Sequence, residues 1–299
     1  VLQRATRSLI AAFAMAALLV GCGAPGGLDG DLVDDWVALP PPGPFTPAAE
    51  VCHEADFADA VPVAAYTPVD CAAPHRVETV HVGAFPDGRS EPPPIASAEL
   101  RTAFADCDNR ANGYVGDNWR AGRIRLAVAV PSGPGWAAGS RWYRCDLMEV
   151  STAEAAATVV LRTGSLRDAL RAPSPLRLGC QQTRAGRGGV VETLRPVDCA
   201  ERHDAEFAGV WQAPDRPYPS GSAEWAPVYD GCRSVLARFA SLPDDGDLAF
   251  RSDMVVRPPG AGRWRAGDRG VRCYLWLADR AVTGSLKGVG PAGLPVRTK

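Results

Sequence analysis

Apolar positions along this chain recur with two periods, and the two periods appear in the same order twice. β-Branched and aromatic residues crowd "VETVHVGAF" (Val77 to Phe85), "RIRLAVAV" (Arg123 to Val130) and "WYRCDLMEV" (Trp142 to Val150), which read as strands. Between the first two, Leu100, Ala103, Phe104, Cys107 and Ala111 keep helical spacing. Further on, "AEFAGVWQA" (Ala205 to Ala213), "LAFRSDMVV" (Leu248 to Val256) and "VRCYLWLA" (Val271 to Ala278) read as strands. The stripe Trp225, Val228, Tyr229, Cys232, Leu236 and Phe239 again marks a helix. Ser97 and Ser222 stand where N-caps are expected, with Glu99 and Glu224 near the positive end of each helix dipole. One helix among hairpin-length connections predicts an α+β fold, an antiparallel sheet with one helix on a face, formed twice.

The doubling extends to the letters. "TPVDCAAPH" (Thr67 to His75) has a near copy in "RPVDCAERH" (Arg195 to His203), 128 positions later. "GWAAGSRWYRC" (Gly135 to Cys145) matches "RWRAGDRGVRC" (Arg263 to Cys273) at the same offset. "SAEL" and "SAEW" precede the two helix cysteines, and "TGSL" occurs at Thr163 and again at Thr283. This pattern predicts two tandem domains, residues 50–169 and 176–289, separated by the proline-bearing "RAPSPL" and followed by a tail, 290–299.

The first residues differ in character. Arg4 and Arg7 precede the apolar run "LIAAFAMAALLV" (Leu9 to Val20), too short to span a bilayer comfortably and followed by "LVGC". A small residue before a cysteine at that point resembles the bacterial lipobox. The resemblance implies a signal peptide over 1–21 and lipidation of Cys22, with an uncleaved anchor or an ordinary secretory signal as alternatives. Each buried methylene of an acyl chain contributes about 0.8 kcal/mol, so several chains would hold the protein on the membrane. Residues 22–49, with "GAPGGLDGDL" and "PPPGPFTP", read as a tether. Trp36 within it has no explanation at this level.

Composition and charge narrow the picture little. The chain has 299 residues, 46% hydrophobic and 22% charged, with a net charge of -2. That balance suits a folded protein and gives no polyanion-binding surface, so nucleic acid is not an expected partner.

Eight cysteines follow Cys22, in two sets of four. Outside the cytoplasm an even count reads as disulfides, with three pairings open to each set. We favour Cys52 with Cys71 and Cys107 with Cys145, and correspondingly Cys180 with Cys199 and Cys232 with Cys273. Each bond then closes within its own repeat, and the helix cysteine meets a strand beneath it. Zinc competes, because "CAAPH" and "CAERH" are Cys-x-x-x-His, but no close cysteine pair accompanies them.

Few residues invite chemistry. His75 and Glu78 recur as His203 and Glu206. In a strand, positions i and i+3 point to opposite faces, so His203 would share a face with Ala205, Phe207 and Trp211 as a core histidine. His53 and His81 have no counterparts in the other repeat. Asp70 and Asp198 precede equivalent cysteines and suit turns that bond backbone amides. There is no nucleophile elbow, phosphate loop or zinc helix, and no cofactor is expected. Trp136, Gly139 and Arg141 recur as Trp264, Gly267 and Arg269. They would build a turn in which glycine supplies φ > 0 and Arg stacks on Trp, or, more sharply, an exposed Trp-Arg platform for a glycan or protein partner.

The ordered set of "V-D-C-x-x-x-H-x-x-E", a capped helix bearing Cys, "W-x-x-G-x-R-x-x-x-C" and "T-G-S-L" resembles the actinobacterial septum formation domain, from about Val51 to Gly288. Arg202 departs from the more family-like Pro74. The resemblance implies a membrane-anchored or secreted protein associated by name with cell division, a name that implies no particular enzymatic activity. The expectation is therefore a non-enzymatic lipoprotein on the outer face of the cytoplasmic membrane, displaying two disulfide-braced domains to envelope or division proteins or to cell-wall polymer. The alternatives are an extracytoplasmic hydrolase of cell-wall material working through His75 or His203, and a metal or haem binder.

Overall fold

A computed structural model describes residues 44–297. The signal segment, Cys22 and most of the tether lie outside the described residues.

Two sheets carry the fold. The first is built from β1 (Val51–His53), β2 (Ala60–Val61), β3 (Pro68–Val69), β4 (Val77–Ala84), β5 (Ile124–Pro131) and β6 (Trp142–Glu149). The second contains β7 (Cys180–Ala185), β8 (Val191–Pro196), β9 (Ala205–Gln212), β10 (Asp253–Arg257) and β11 (Gly270–Trp276). Their orders are β2-β5-β6-β4-β1-β3 and β10-β11-β9-β7-β8. Every pairing is antiparallel except that of the two-residue β2 with the end of β5, which is parallel.

Each sheet is covered by one long helix, α1 (Ala98–Val115) or α2 (Ser222–Ala240). α1 starts where its apolar stripe does, because the Ser97 side chain accepts the Leu100 N–H at 3.1 Å. It stops at Gly116, whose left-handed φ of 83° lets its N–H return to the Asn112 carbonyl. Its buried face, Phe104, Cys107 and Ala111, packs on Ile124, Leu126 and Leu147. α2 sets Val228, Cys232, Val235 and Leu236 against Val271 and Leu275 in the same manner. The described residues 44–297 fall into one compact unit rather than dividing between the sheets.

Three local expectations need correction. Ser222 is not an N-cap: it lies inside the helix and Gly221 holds the cap position. Glu224 reaches back instead and accepts the Ser220 N–H at 2.7 Å. "LAFRSDMVV" is a strand only from Asp253, because Gly246–Phe250 forms a 3-10 turn that buries Leu248. Finally, both central strands carry a bulge. Register passes from Thr79↔Asp146 to His81↔Cys145, leaving Val80 extra, and from Phe207↔Tyr274 to Gly209↔Cys273, leaving Ala208 extra. An extra residue reverses the parity of side chains along a strand. Phe207 and Trp211 therefore join different cores rather than one face.

Candidate functional site

Four disulfides link Cys52–Cys71, Cys107–Cys145, Cys180–Cys199 and Cys232–Cys273. Cys107 and Cys232 lie on the buried faces of the helices, and Cys145 and Cys273 lie on the strands below them, so each longer bond ties helix to sheet.

The repeated phrase forms a knot around its glutamate. Glu78 is fully buried and accepts the Leu166 N–H at 2.7 Å and the hydroxyls of Ser165 and Tyr114, both at 2.5 Å. Glu206 accepts Leu286 N–H at 2.6 Å and the Ser285 hydroxyl at 2.5 Å. The serines and leucines are those of the two "TGSL" stretches. In the same stretches Gly164 and Gly284 donate to the carbonyls of Cys71 and Cys199. Backbone bridges join His75 to Arg162 and His203 to Val282. Asp70 and Asp198 each accept an N–H two residues on, at 2.8 Å, closing the turn that presents the cysteine. These repeated letters are thus a fastening between distant chain segments, with both glutamates turned onto donors of the same fastening.

The histidines sit inside this fastening. His75 and His203 are both fully buried, and Nδ1 of each lies 2.8 Å from the carbonyl two residues before it. Neither Nε2 has a hydrogen-bond partner among the described residues. The expectation that His203 and Glu206 face opposite ways fails, because β9 begins only at Ala205 and His203 precedes it in a bridge. His203, Glu206 and Cys180 converge within 4.8 Å, as do Cys52, Cys71 and Glu78. A metal would need thiolate at either cluster, and disulfide sulfur offers none. Glu78 is already committed to three donors, so the zinc reading fails on ligand chemistry.

An exposed Trp-Arg platform is not what the second motif forms. Trp136 is 1% exposed and Trp264 is 2% exposed. Their indole N–H groups donate to the carbonyls of Arg89 and Arg216, at 3.0 and 2.7 Å. Arg141 lies over the Trp136 ring at 4.4 Å and Arg269 over Trp264 at 4.9 Å. Gly139 and Gly267 adopt φ of 93° and 112°, a turn that costs an L side chain strain. A buried, hydrogen-bonded indole is a packing anchor, which is why the motif recurs before a strand.

Two buried polar clusters escaped sequence reasoning. In one, Arg144 pairs with Asp146 at 2.8 Å, Thr79 donates to Asp146 at 2.8 Å, and His53 Nε2 lies 3.1 Å from the Thr79 hydroxyl. Burial, then the Arg144 charge, then His75 push His53 down to about 4. Burial drives Asp146 the other way, above its usual range. The other cluster joins the two sheets. Arg120, 1% exposed, donates through Nε and Nη2 to Asp268 at 2.9 and 2.7 Å and through Nη1 to Asp108 at 2.7 Å. Arg263 takes the other Asp268 oxygen at 2.9 Å, and Arg272 donates to the Arg120 carbonyl at 2.8 Å. Gly270 admits the guanidinium: a Cβ there would stand 2.1 Å from Arg120 Nε. Nothing in the local pattern of either segment signals a partner 148 positions away.

A solvent-accessible groove of 690 Å³ runs along β5, with Leu100, Phe104, Val128 and Val130 on its apolar wall and Arg125, Arg263 and Arg265 beside it. It has the form of a binding site, whereas the Trp and His of the repeated motifs are turned inward.

No helix among the described residues is long and apolar enough to cross a membrane. Comparison with known proteins finds no match among curated proteins or solved structures. The family model described as septum formation does match, over residues 49–273. That single stretch opens just before the first disulfide cysteine and closes on the last, so it takes in both sheets, both helices and all four bonds. On a match covering most of its length, the chain belongs to the septum formation family.

Proposed function

We propose that this protein is a lipid-anchored, extracytoplasmic member of its family in which two tandem copies of one disulfide-braced domain act as a binding unit in septum formation. The observation that carries the reading is the set of four intramolecular disulfides, with all eight cysteines in one unit. Such bonds persist in oxidising compartments. The anchor rests on "LVGC" and Cys22. Duplication is supported by the shared strand order β5-β6-β4-β1-β3 and β10-β11-β9-β7-β8, by bulges at Val80 and Ala208, and by two knots that share the Ser and Leu donors to their glutamates. Binding is favoured over catalysis because the repeated histidines are buried, and their Nε2 atoms make no hydrogen bond to an acid, base or nucleophile among the described residues. The partners in this reading are envelope or division proteins or cell-wall polymer.

The test is fractionation of cells with mass spectrometry of the amino-terminal peptide. Native protein should sit in the membrane fraction with an acylated Cys22 and no free thiol among the other eight cysteines. Cys22→Ala should release it. Membrane retention of that variant, or free thiols in rapidly alkylated material, would count against the reading. Crosslinked envelopes should yield division-site proteins with the native chain.

A further inference from the structure

Strand β5 has a neighbour along most of its length on one side only. β6 pairs with Ile124 through Ala129, but on the opposite edge β2 reaches only Val130 and Pro131. The N–H of Val130 donates outward to the Asp59 carbonyl and that of Ser132 to Val61. In an antiparallel pair, outward and inward backbone groups alternate, so the half-buried Val128, and beside it the buried Leu126, turn their N–H and C=O groups to this same outer side. No backbone partner meets them there among the described residues. An unpaired edge of this kind is a template for another extended segment.

The surroundings select what that segment can be. Five residues of strand span roughly 16 Å at about 3.3 Å each, and the groove follows β5 from Arg125 to Val130. Its floor is apolar, from Phe104 of α1 and the side chains of β5, and the short helical turn Ala261–Arg265 closes the far side. A volume of 690 Å³ lies within the range of pockets that bury most of a ligand. One end is positively charged. Arg125 and Arg265 have no carboxylate within ion-pair distance among the described residues, and Arg263 shares its only one, Asp268, with Arg120. Burial, then the Arg263 charge, hold the Arg125 guanidinium below its ordinary value. Asp56 and Asp59 lie in the groove as well, and Asp56 is paired with Arg76.

We propose that the open edge of β5 is a docking site for an extended acidic segment of a partner protein. The segment adds to the first sheet as a strand, sets apolar side chains at alternate positions against Leu100, Phe104 and Val128, and pairs its carboxylates with Arg125, Arg263 and Arg265. This deepens the binding reading above by naming a surface and a partner chemistry. It is tested with purified protein, so its failure is separate from any failure of anchoring or septal association.

The experiment titrates the full chain into fluorescent seven-residue peptides, with two glutamates at either end and Val, Leu or Phe alternating with Thr, and follows anisotropy. Saturable binding of at least one peptide is expected. N-methylation of alternate amides in that peptide should weaken it about tenfold or more, because ladder donors are lost. Arg265→Glu should weaken it similarly. Arg265 is exposed and bonds only the Ala261 carbonyl of its own turn, so the variant should keep the native melting temperature. A second variant, Arg125→Glu, guards against an unfolded first. The proposal is overturned if no peptide binds at about 1 mM, if N-methylation has no effect, or if two lysines serve as well as two glutamates. It is equally overturned if sodium laurate saturates the groove while every peptide fails, which would mark an amphiphile cavity. Sedimentation showing a dimer that Arg125→Glu dissociates would give the edge to a second copy and overturn it too.

Discussion

Replacing Arg120 with methionine removes a buried side chain that reaches from the connection between α1 and β5 to Asp268, just before β11. The methionine retains most of the buried apolar stem and loses three charge-assisted hydrogen bonds, two to Asp268 and one to Asp108. Removing one member of a buried pair costs about 3–5 kcal/mol, because the remaining charge stays desolvated. Asp268 is 2% exposed but keeps Arg263 at 2.9 Å and its own bond to Gly270 N–H, so the lower end, about 3 kcal/mol, is expected. Gly270→Ala supplies the sharper half of the test. Its Cβ would stand 2.1 Å from Arg120 Nε, an atom held by its partners and unable to give way, and overpacking of this sort costs about 1–3 kcal/mol. That Cβ would also stand 2.2 Å from Arg120 Cδ, where the methionine sulfur sits, but the methionine chain is not anchored by ion pairs and can swing aside. In the Arg120→Met background Gly270→Ala should therefore cost clearly less than it does beside the held guanidinium, a non-additive cycle. Urea unfolding of the oxidised protein, with stability taken from midpoint and slope, measures all four corners. Additive costs, or an Arg120→Met loss under about 1 kcal/mol, would refute the claim that this buried network fastens the two sheets together.

Other outcomes follow from the same packing. Cys107→Ala with Cys145→Ala opens a loop of sequence separation 38 and should lower stability by about 4 kcal/mol on the loop-entropy model, against about 3 for the Cys52–Cys71 pair, readable by urea titration. Glu78→Ala strands the Leu166 N–H and the Ser165 and Tyr114 hydroxyls and should cost about 3 kcal/mol, with Glu206→Ala, which has two donors, costing less. The same titrations would expose an error in the knot if both were silent. His53 takes its proton at about 4 in the folded chain and at 6.5 when exposed. The unfolded state therefore binds more protons between these values, and stability present above pH 6.5 is lost as pH falls, levelling below 4. The full loss is about 3 kcal/mol at 1.36 kcal/mol per unit. Thermal melts from pH 7 to 4 should show this slope shrinking in His53→Asn, and an unchanged slope would reject it.

The chain's own letters determine what depends on neighbours. Alternating Val and aromatic residues make β4, β6, β9 and β11 legible, and the stripe from Leu100 to Ala111 makes α1 so, because a period of two or of 3.6 expresses which face meets a core. That stripe also includes Cys107, and the corresponding one Cys232. Gly139 and Gly267 announce turns because no other residue adopts their φ without strain. Tertiary structure alone decided what depends on segments far apart. A single extra residue at Val80 or Ala208 leaves no periodic signal, yet it reverses the strand's faces and sends Phe207 and Trp211 to different cores. Glu206 reads only as lying on the strand face opposite His203, and it is Ser285 and Leu286, about eighty positions on, that close over it. Trp136 and Trp264 could have been surface anchors, and only the Arg89 and Arg216 carbonyls that receive their indoles bury them. Local pattern encodes how much surface a residue prefers to hide. Which partner hides it is settled by chain closure, where contacts distant in sequence must be made together to offset the entropy of ordering them.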